Sequence, residues 1–247
     1  MAEQNVYDNR DFFDGYWKLR KNEANANILI EKPALFSLLP DLKGTSILDL
    51  GCGYGENCAE FIRMGAAHAT GIDISAKMLA VAEKENCGPH ITYRNIPMED
   101  IAQLNCTFDI VVSSLAVHYV QDFSGLVYNI YSMLNPGGLF IFSQENPLNT
   151  CFSTGKRWTK DENGNALYAN ISNYSTDGER RSTWFIDNVT KYHRTFSSIL
   201  NTLIDAGFEI QKLLEPVPPQ DIMDRYPQYR NDIHKPDFLL IRAGKKA

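Results

Sequence analysis

Cysteine is scarce in this chain of 247 residues, which holds five: Cys52, Cys58, Cys87, Cys106 and Cys151. No two stand in CxxC spacing, and the number is odd. A disulfide framework and a thiolate zinc site are therefore excluded as organising devices, and no metal site is expected. Reduced thiols in a cytoplasmic protein are the reading that remains. Long apolar runs are missing too: nothing approaches the roughly 18 apolar residues of a membrane span. The start MAEQNVYDNRDFFDGYW is polar and acidic, without the basic opening and apolar stretch of a signal peptide. No membrane partner is expected. Positive charge is in deficit, with 24 Lys and Arg against 30 Asp and Glu and a net charge of −6. The longest basic cluster is Lys245-Lys246. Nucleic-acid binders carry a basic excess or stripe, so a nucleic-acid partner is not expected either.

What is present is the composition of an ordinary globular protein, 44% hydrophobic and 22% charged. The length suits one sizeable core and is short for two full domains. Residues 1–247 are accordingly expected to form a single domain, with 1–40 as an N-terminal helical cap. Residues 8–39 read as helical up to the break at Pro40. Apolar runs at 46–50, 69–74, 91–93, 108–113 and 139–143 then alternate with helical patterns at 57–64, 76–85 and 123–134. Ser75 is a good N-cap for the second of these helices. Such alternation predicts an α/β fold of βαβ units, a mostly parallel sheet covered on both faces. After residue 143 the rhythm breaks. A structureless loop over the Asn-, Ser-, Thr- and Gly-rich residues 145–195 is improbable in a compact domain. An inserted lid is expected there, with a short strand near 182–186. A helix at 197–206 and strands at 208–214 and 238–243 complete the pattern.

The sharpest signal is ILDLGCGYGENCAEF at residues 47–61. An apolar strand runs into Gly51, Gly53 and Gly55 and then into a helix. Glycine serves where a backbone turns sharply and a ligand must touch the main chain. A turn that binds nothing would use the same residues, but its context points to a ligand. Asp49 stands just before the turn, and Asp73 ends the next strand, where a carboxylate can accept hydrogen bonds from a ribose diol. The dinucleotide fingerprint GxGxxG would need a third glycine where this chain has Glu56, and an acid there repels a pyrophosphate. The spacing GxGxG favours a ligand with adenosine and no diphosphate.

At these residues the chain resembles class I S-adenosylmethionine-dependent methyltransferases, in particular the small-molecule group called type 11. The resemblance covers residues 45–145 and the C-terminal strands more loosely. Asp49-Leu50-Gly51-Cys52-Gly53-Tyr54-Gly55 is similar to the family's first motif. Gly71-Ile72-Asp73-Ile74-Ser75 is similar to the ribose-binding acid and the apolar residue on adenine. Met98-Glu99-Asp100 resembles the segment that closes over the adenine ring, although Pro97 stands where members often carry an acid. Phe108–Ser114 resembles the fourth strand, and Leu134-Asn135-Pro136-Gly137-Gly138 the turn into the fifth. The resemblance implies S-adenosylmethionine as cofactor, S-adenosylhomocysteine as product, and a Rossmann-like, doubly wound, seven-stranded sheet whose last strand is antiparallel. It places Asp49–Gly51 and Ser113–Leu115 around the cofactor's methionine part.

Methyl transfer from a sulfonium needs an aligned acceptor and a dry site more than a nucleophile. His118, just past the fourth strand, is the candidate base or orienting group; a structural imidazole is the alternative. Tyr119 and Glu145 face the same rim, as a core aromatic or a solvated acid if not in the site. In the insertion Trp184, Tyr192 and His193 are candidate acceptor contacts, or they pin the lid to the core. Arg20 is a candidate partner of the cofactor carboxylate, or a surface residue. The expectation is methyl transfer to a small-molecule acceptor. Its alternatives are a non-catalytic adenosyl-ligand-binding protein and, further off, an NAD-type dinucleotide enzyme.

Overall fold

The computed structural model describes residues 5–152 and 154–247. Asn9 caps α1 (Arg10–Arg20) by accepting the N–H groups of Asp11 and Phe12. The continuous helix expected over 8–39 is broken after α1. Asn22 accepts the Ala24 N–H at 2.9 Å and Asn25 the Asn27 N–H at 2.9 Å. Such short-range side-chain bonds offer the backbone an alternative to the helix ladder. A π-helical turn, Asn27–Glu31, then leads into α2 (Lys32–Ser37).

The expected alternation follows, with ends shifted by a few residues. Its elements are β1 (Ser46–Leu50), α3 (Glu56–Arg63), β2 (His68–Asp73), α4 (Ala76–Glu85), β3 (Ile91–Asn95), β4 (Phe108–Ser113), α5 (Phe123–Met133) and β5 (Leu134–Glu145). Ser75 caps α4, accepting the Met78 N–H. β5 starts earlier than expected because Leu134 pairs with Phe108 across an irregular register. After α6 (Pro147–Thr150), the insertion is two hairpins, β6 (Trp158–Lys160) with β7 (Ala166–Ala169) and β8 (Gly178–Trp184) with β9 (Ile186–His193). The chain ends with α7 (Phe196–Asp205), β10 (Glu209–Leu214), α8 (Gln220–Arg225) and β11 (Phe238–Gly244).

Seven strands form one sheet in the order β10-β11-β5-β4-β1-β2-β3. β11, the last in sequence, runs antiparallel to both its neighbours, as expected. Side chains alternate between faces along each strand, and the two faces bury different helices. Leu48, Val111, Phe140 and Ile241 pack with Val127 and Ile130 of α5 and Ile199 and Leu203 of α7. Ile47, Val112, Ile141 and Leu240 pack with Leu35 of α2 and Phe61 of α3. Each fully buried Leu or Ile contributes about 1.5–3 kcal/mol relative to exposure, so the sheet is a stiff platform. The strand order runs in opposite directions from β1 and β4. A crevice opens there beyond the strands' C-terminal ends, the usual ligand position in such sheets. Among the described residues no helix is long and apolar enough to cross a membrane.

Candidate active site

The glycine turn caps this crevice. Gly51 and Gly53 have φ of +71° and +54°, a left-handed backbone that side chains disfavour. They differ in what surrounds them. A Cβ on Gly51 would lie 2.6 Å from the Ala116 Cβ, whereas one on Gly53 would meet nothing within 4 Å. Gly51 is thus packed and Gly53 is open. The N–H groups of Gly51 and Cys52 both donate to the Ile72 carbonyl at 2.9 Å, tying the turn to β2. At the end of β2, Asp73 accepts the Gly53 N–H on Oδ2 and the Ser75 N–H on Oδ1, each at 2.8 Å. Burial pushes this carboxyl up to about 6, against the pull of those two bonds.

Gly51, Cys52, Gly53, Asp73, Ile74, Met98 and Glu99 line one part of a cavity of about 900 Å³. His118, Tyr119, Glu145, Trp184 and Tyr192 line another part of the same space. Arg20 also lines it and is paired with Glu56, the residue that breaks the dinucleotide spacing. The N-terminal segment and the insertion cover the crevice together. Tyr54 of the glycine turn packs against Phe13, Tyr16 and Trp17 of α1. Phe12 packs edge-on against Trp184 and Phe185 of the hairpin.

Four expected residues do not line the cavity. Gly55 faces Tyr93 instead: a Cβ there would lie 2.1 Å from its hydroxyl oxygen. The Ser113 hydroxyl donates to the Leu50 carbonyl at 2.9 Å within the sheet. Asp49 is buried, with Oδ2 accepting the Cys58 thiol at 3.6 Å and Oδ1 without a partner. Burial pushes its carboxyl up to about 7, and the Asp73 charge adds to the rise. His193 is the clearest correction. Its Nε2 lies 2.8 Å from the Tyr174 carbonyl, which can only accept, so Nε2 carries the proton and Nδ1 takes the Thr150 hydroxyl at 2.8 Å. Both nitrogens are used up pinning β9 to its surroundings.

His118 is buried in the turn Val117–Tyr119, and its Nδ1 has no partner. Burial drives the imidazole down to about 4, so it is neutral near pH 7; Glu145 opposes the drop and Lys191 adds to it. Glu145 forms an ion pair with Lys191. Burial raises the Glu145 carboxyl, but the Lys191 ammonium and His118 outweigh it and leave it below its usual range. The Lys191 ammonium also lies 5.2 Å from the Trp184 ring centroid and 5.9 Å from that of Tyr119. Sequence reasoning passed over Lys191, whose one signal was its place beside Tyr192.

The residues present fit an adenosyl ligand. Asp73 offers acceptors to a diol, Gly53 leaves its face open, and Ile74 and Met98 give apolar walls. Residues 48–142 match the family model for a methyltransferase domain. An S-adenosylmethionine-dependent methyltransferase from Mesorhizobium loti, of known structure, is 34% identical, with 92% of this chain and 100% of that one covered and a TM-score of 0.80. The chain belongs to the S-adenosylmethionine-dependent methyltransferases. S-adenosylmethionine is its cofactor, which sets aside a dinucleotide. An uncharacterized protein of Haemophilus influenzae is 40% identical to this methyltransferase over 97% of this chain and 96% of its own length. The malonyl-[acyl-carrier protein] O-methyltransferase of Enterobacter lignolyticus is 34% identical over 110 residues, 44% of this chain and 43% of that one.

Proposed function

We propose that this methyltransferase modifies a small-molecule acceptor, held in the part of the cavity walled by His118, Tyr119, Glu145, Trp184 and Tyr192, in a cytoplasmic setting. The observation that carries this reading is the continuity of the cavity: the space bounded by the glycine turn is bounded also by the β8–β9 hairpin. Its volume of about 900 Å³ lies at the upper end of small-ligand sites, roughly 300–1,000 Å³, so donor and acceptor can share it. In this reading Asp73 accepts the ribose hydroxyls, the Gly53 main chain touches the donor, Ile74 and Met98 flank the adenine, and Glu99 stands at its edge. Cys52 lines the same part. Residues 145–195 act as a lid.

S-adenosylmethionine supplies a methyl group already activated on a sulfonium. The protein's task is alignment and exclusion of water. The hairpin and the N-terminal aromatics provide the exclusion. Neutral His118, which lines the cavity, can take the proton of an acceptor O–H or N–H. Its low basicity makes it a weak base toward a neutral alcohol, so the proton moves once the acceptor has become acidic by bonding to carbon. Glu145 then stabilises the imidazolium. A metabolite mixture incubated with methyl-labelled S-adenosylmethionine tests the reading. A labelled product of low molecular mass is expected. Label found only in protein or nucleic acid from the same extract would overturn it.

A further inference from the structure

One acid inside the cavity is used neither by the ribose site nor by the acceptor part. Glu31 closes the π-helical turn Asn27–Glu31, lines the cavity and is 1% exposed. π turns recur at functional sites. Its Oε1 accepts two hydroxyls, that of Ser114 just past β4 at 2.9 Å and that of Ser143 on β5. Hydroxyls are neutral, so they orient a carboxylate without balancing its charge, and a buried charge left unbalanced is costly. Among the described residues, no Lys or Arg forms an ion pair with Glu31. Burial pushes its carboxyl up; the two serines, Arg20 and Lys32 oppose the rise.

The position decides what would balance it. Ser114 is two residues from Ala116, which packs against Gly51, so Glu31 stands at the glycine-turn side of the strand tips. Arg20 is close enough to interact with it electrostatically. An acid held by two serines and a guanidinium held by Glu56, within electrostatic reach of one another on the same cavity, match a zwitterion. The donor carries one, the α-amino acid group of its methionyl arm.

We propose that Glu31 anchors the α-ammonium of that arm, with Arg20 on the side of its carboxylate. The inference rests on S-adenosylmethionine as cofactor, and two probes separate its failure from a failure of that assignment. S-adenosylhomocysteine has the amino-acid arm; 5′-methylthioadenosine shares the adenosine and lacks the arm. Calorimetry on the full chain compares both ligands with wild type, Glu31→Gln and Glu31→Ala. Both variants should weaken S-adenosylhomocysteine roughly 10- to 100-fold, the range for losing a charged hydrogen bond. 5′-Methylthioadenosine should stay within about twofold, which also reports that the fold is intact. Asp73→Asn, by contrast, should weaken both ligands. Unchanged S-adenosylhomocysteine affinity in Glu31→Gln overturns the proposal. So does an equal loss for both ligands, because Glu31 would then only staple the N-terminal segment to the strand tips. A wild-type protein that binds neither ligand would refute the cofactor site itself.

Discussion

Gly53 donates its backbone N–H to Asp73 Oδ2 at 2.8 Å, joining the most open residue of the turn to the acid that ends the neighbouring strand. The Ser75 N–H holds the other oxygen at 2.8 Å. Each bond uses one lone-pair site and leaves capacity for more, because an ionised carboxylate can accept about four hydrogen bonds. The acid is thus aimed before any ligand arrives.

Asp73→Ala should weaken S-adenosylhomocysteine binding by roughly 2–4 kcal/mol, for two hydrogen bonds to a charged group. A pH dependence accompanies this. The free carboxyl sits at about 6, and ligand hydroxyls donate to its charged form. Affinity should therefore hold above pH 6 and fall as the pH drops below it, by at most about tenfold per unit. Asp73→Asn should bind weakly with a flat profile. Calorimetry between pH 5 and 8 checks both; a wild-type profile that stays flat contradicts the assignment.

Gly53→Ala and Gly53→Val should fold and fail to bind. A Cβ at Gly53 meets no atom within 4 Å, so nothing in the protein is displaced. The left-handed backbone costs about 1–2 kcal/mol, visible as a modest drop in Tm. The new side chain occupies the space the ligand needs. Gly51→Ala should behave differently, losing stability through its contact with Ala116. Normal affinity in Gly53→Val would remove the turn from the cofactor site.

Asp49→Asn should stabilise the ligand-free protein in a pH-dependent way. The folded carboxyl is held at about 7, above its unfolded value of 3.8, and Oδ1 has no partner. Between those values the native state keeps a proton that the unfolded chain releases. The wild-type penalty is absent below pH 3.8, grows as the pH rises, and is complete above pH 7. An amide carries no such penalty. The gain should reach roughly 2–4 kcal/mol at pH 8 and shrink toward zero near pH 4. Urea denaturation at the two pH values measures it; equal gains at both would show that Asp49 is not held protonated.

Much of this was legible in the sequence because its signals were local. The strand-glycine-helix run at 47–61 and Asp73 at the next strand's end are positioned by backbone turns that the residues themselves dictate. The parts that escaped depend on contacts distant in sequence. Glu31 lies in an apolar helical pattern, and only the fold brings it to Ser114 and Ser143, 83 and 112 residues away. The β8–β9 turn gave no glycine signal, because Phe185 itself adopts φ +59° while packing against Trp184. His193 stood beside Tyr192 in sequence, yet the fold spends its ring on Thr150 and Tyr174.

His118 gives the last prediction. From its residue type alone, a rate dependence near the ordinary histidine range is expected. The structure moves that expectation: burial holds the imidazole at about 4. If His118 takes the acceptor's proton, turnover should be level from pH 6 to 8 and fall as the pH approaches 4. His118→Asn should lower turnover by roughly 10²–10⁴, the share typical of acid–base catalysis. S-adenosylhomocysteine affinity should hardly change, because Gly53 and Asp73, not His118, are assigned to the adenosyl group. A residue that only positions the acceptor would show instead a raised KM with kcat little altered. Stability supplies an independent reading of the same group. Its folded value of about 4 lies below the unfolded 6.5, so the unfolded chain alone takes up a proton as the pH falls through that window. Wild type should lose up to about 3 kcal/mol from this source between pH 6.5 and 4, and His118→Asn should not. Parallel stability curves for the two proteins would mean that the imidazole titrates normally in the fold, and the neutral base would have to be abandoned with it.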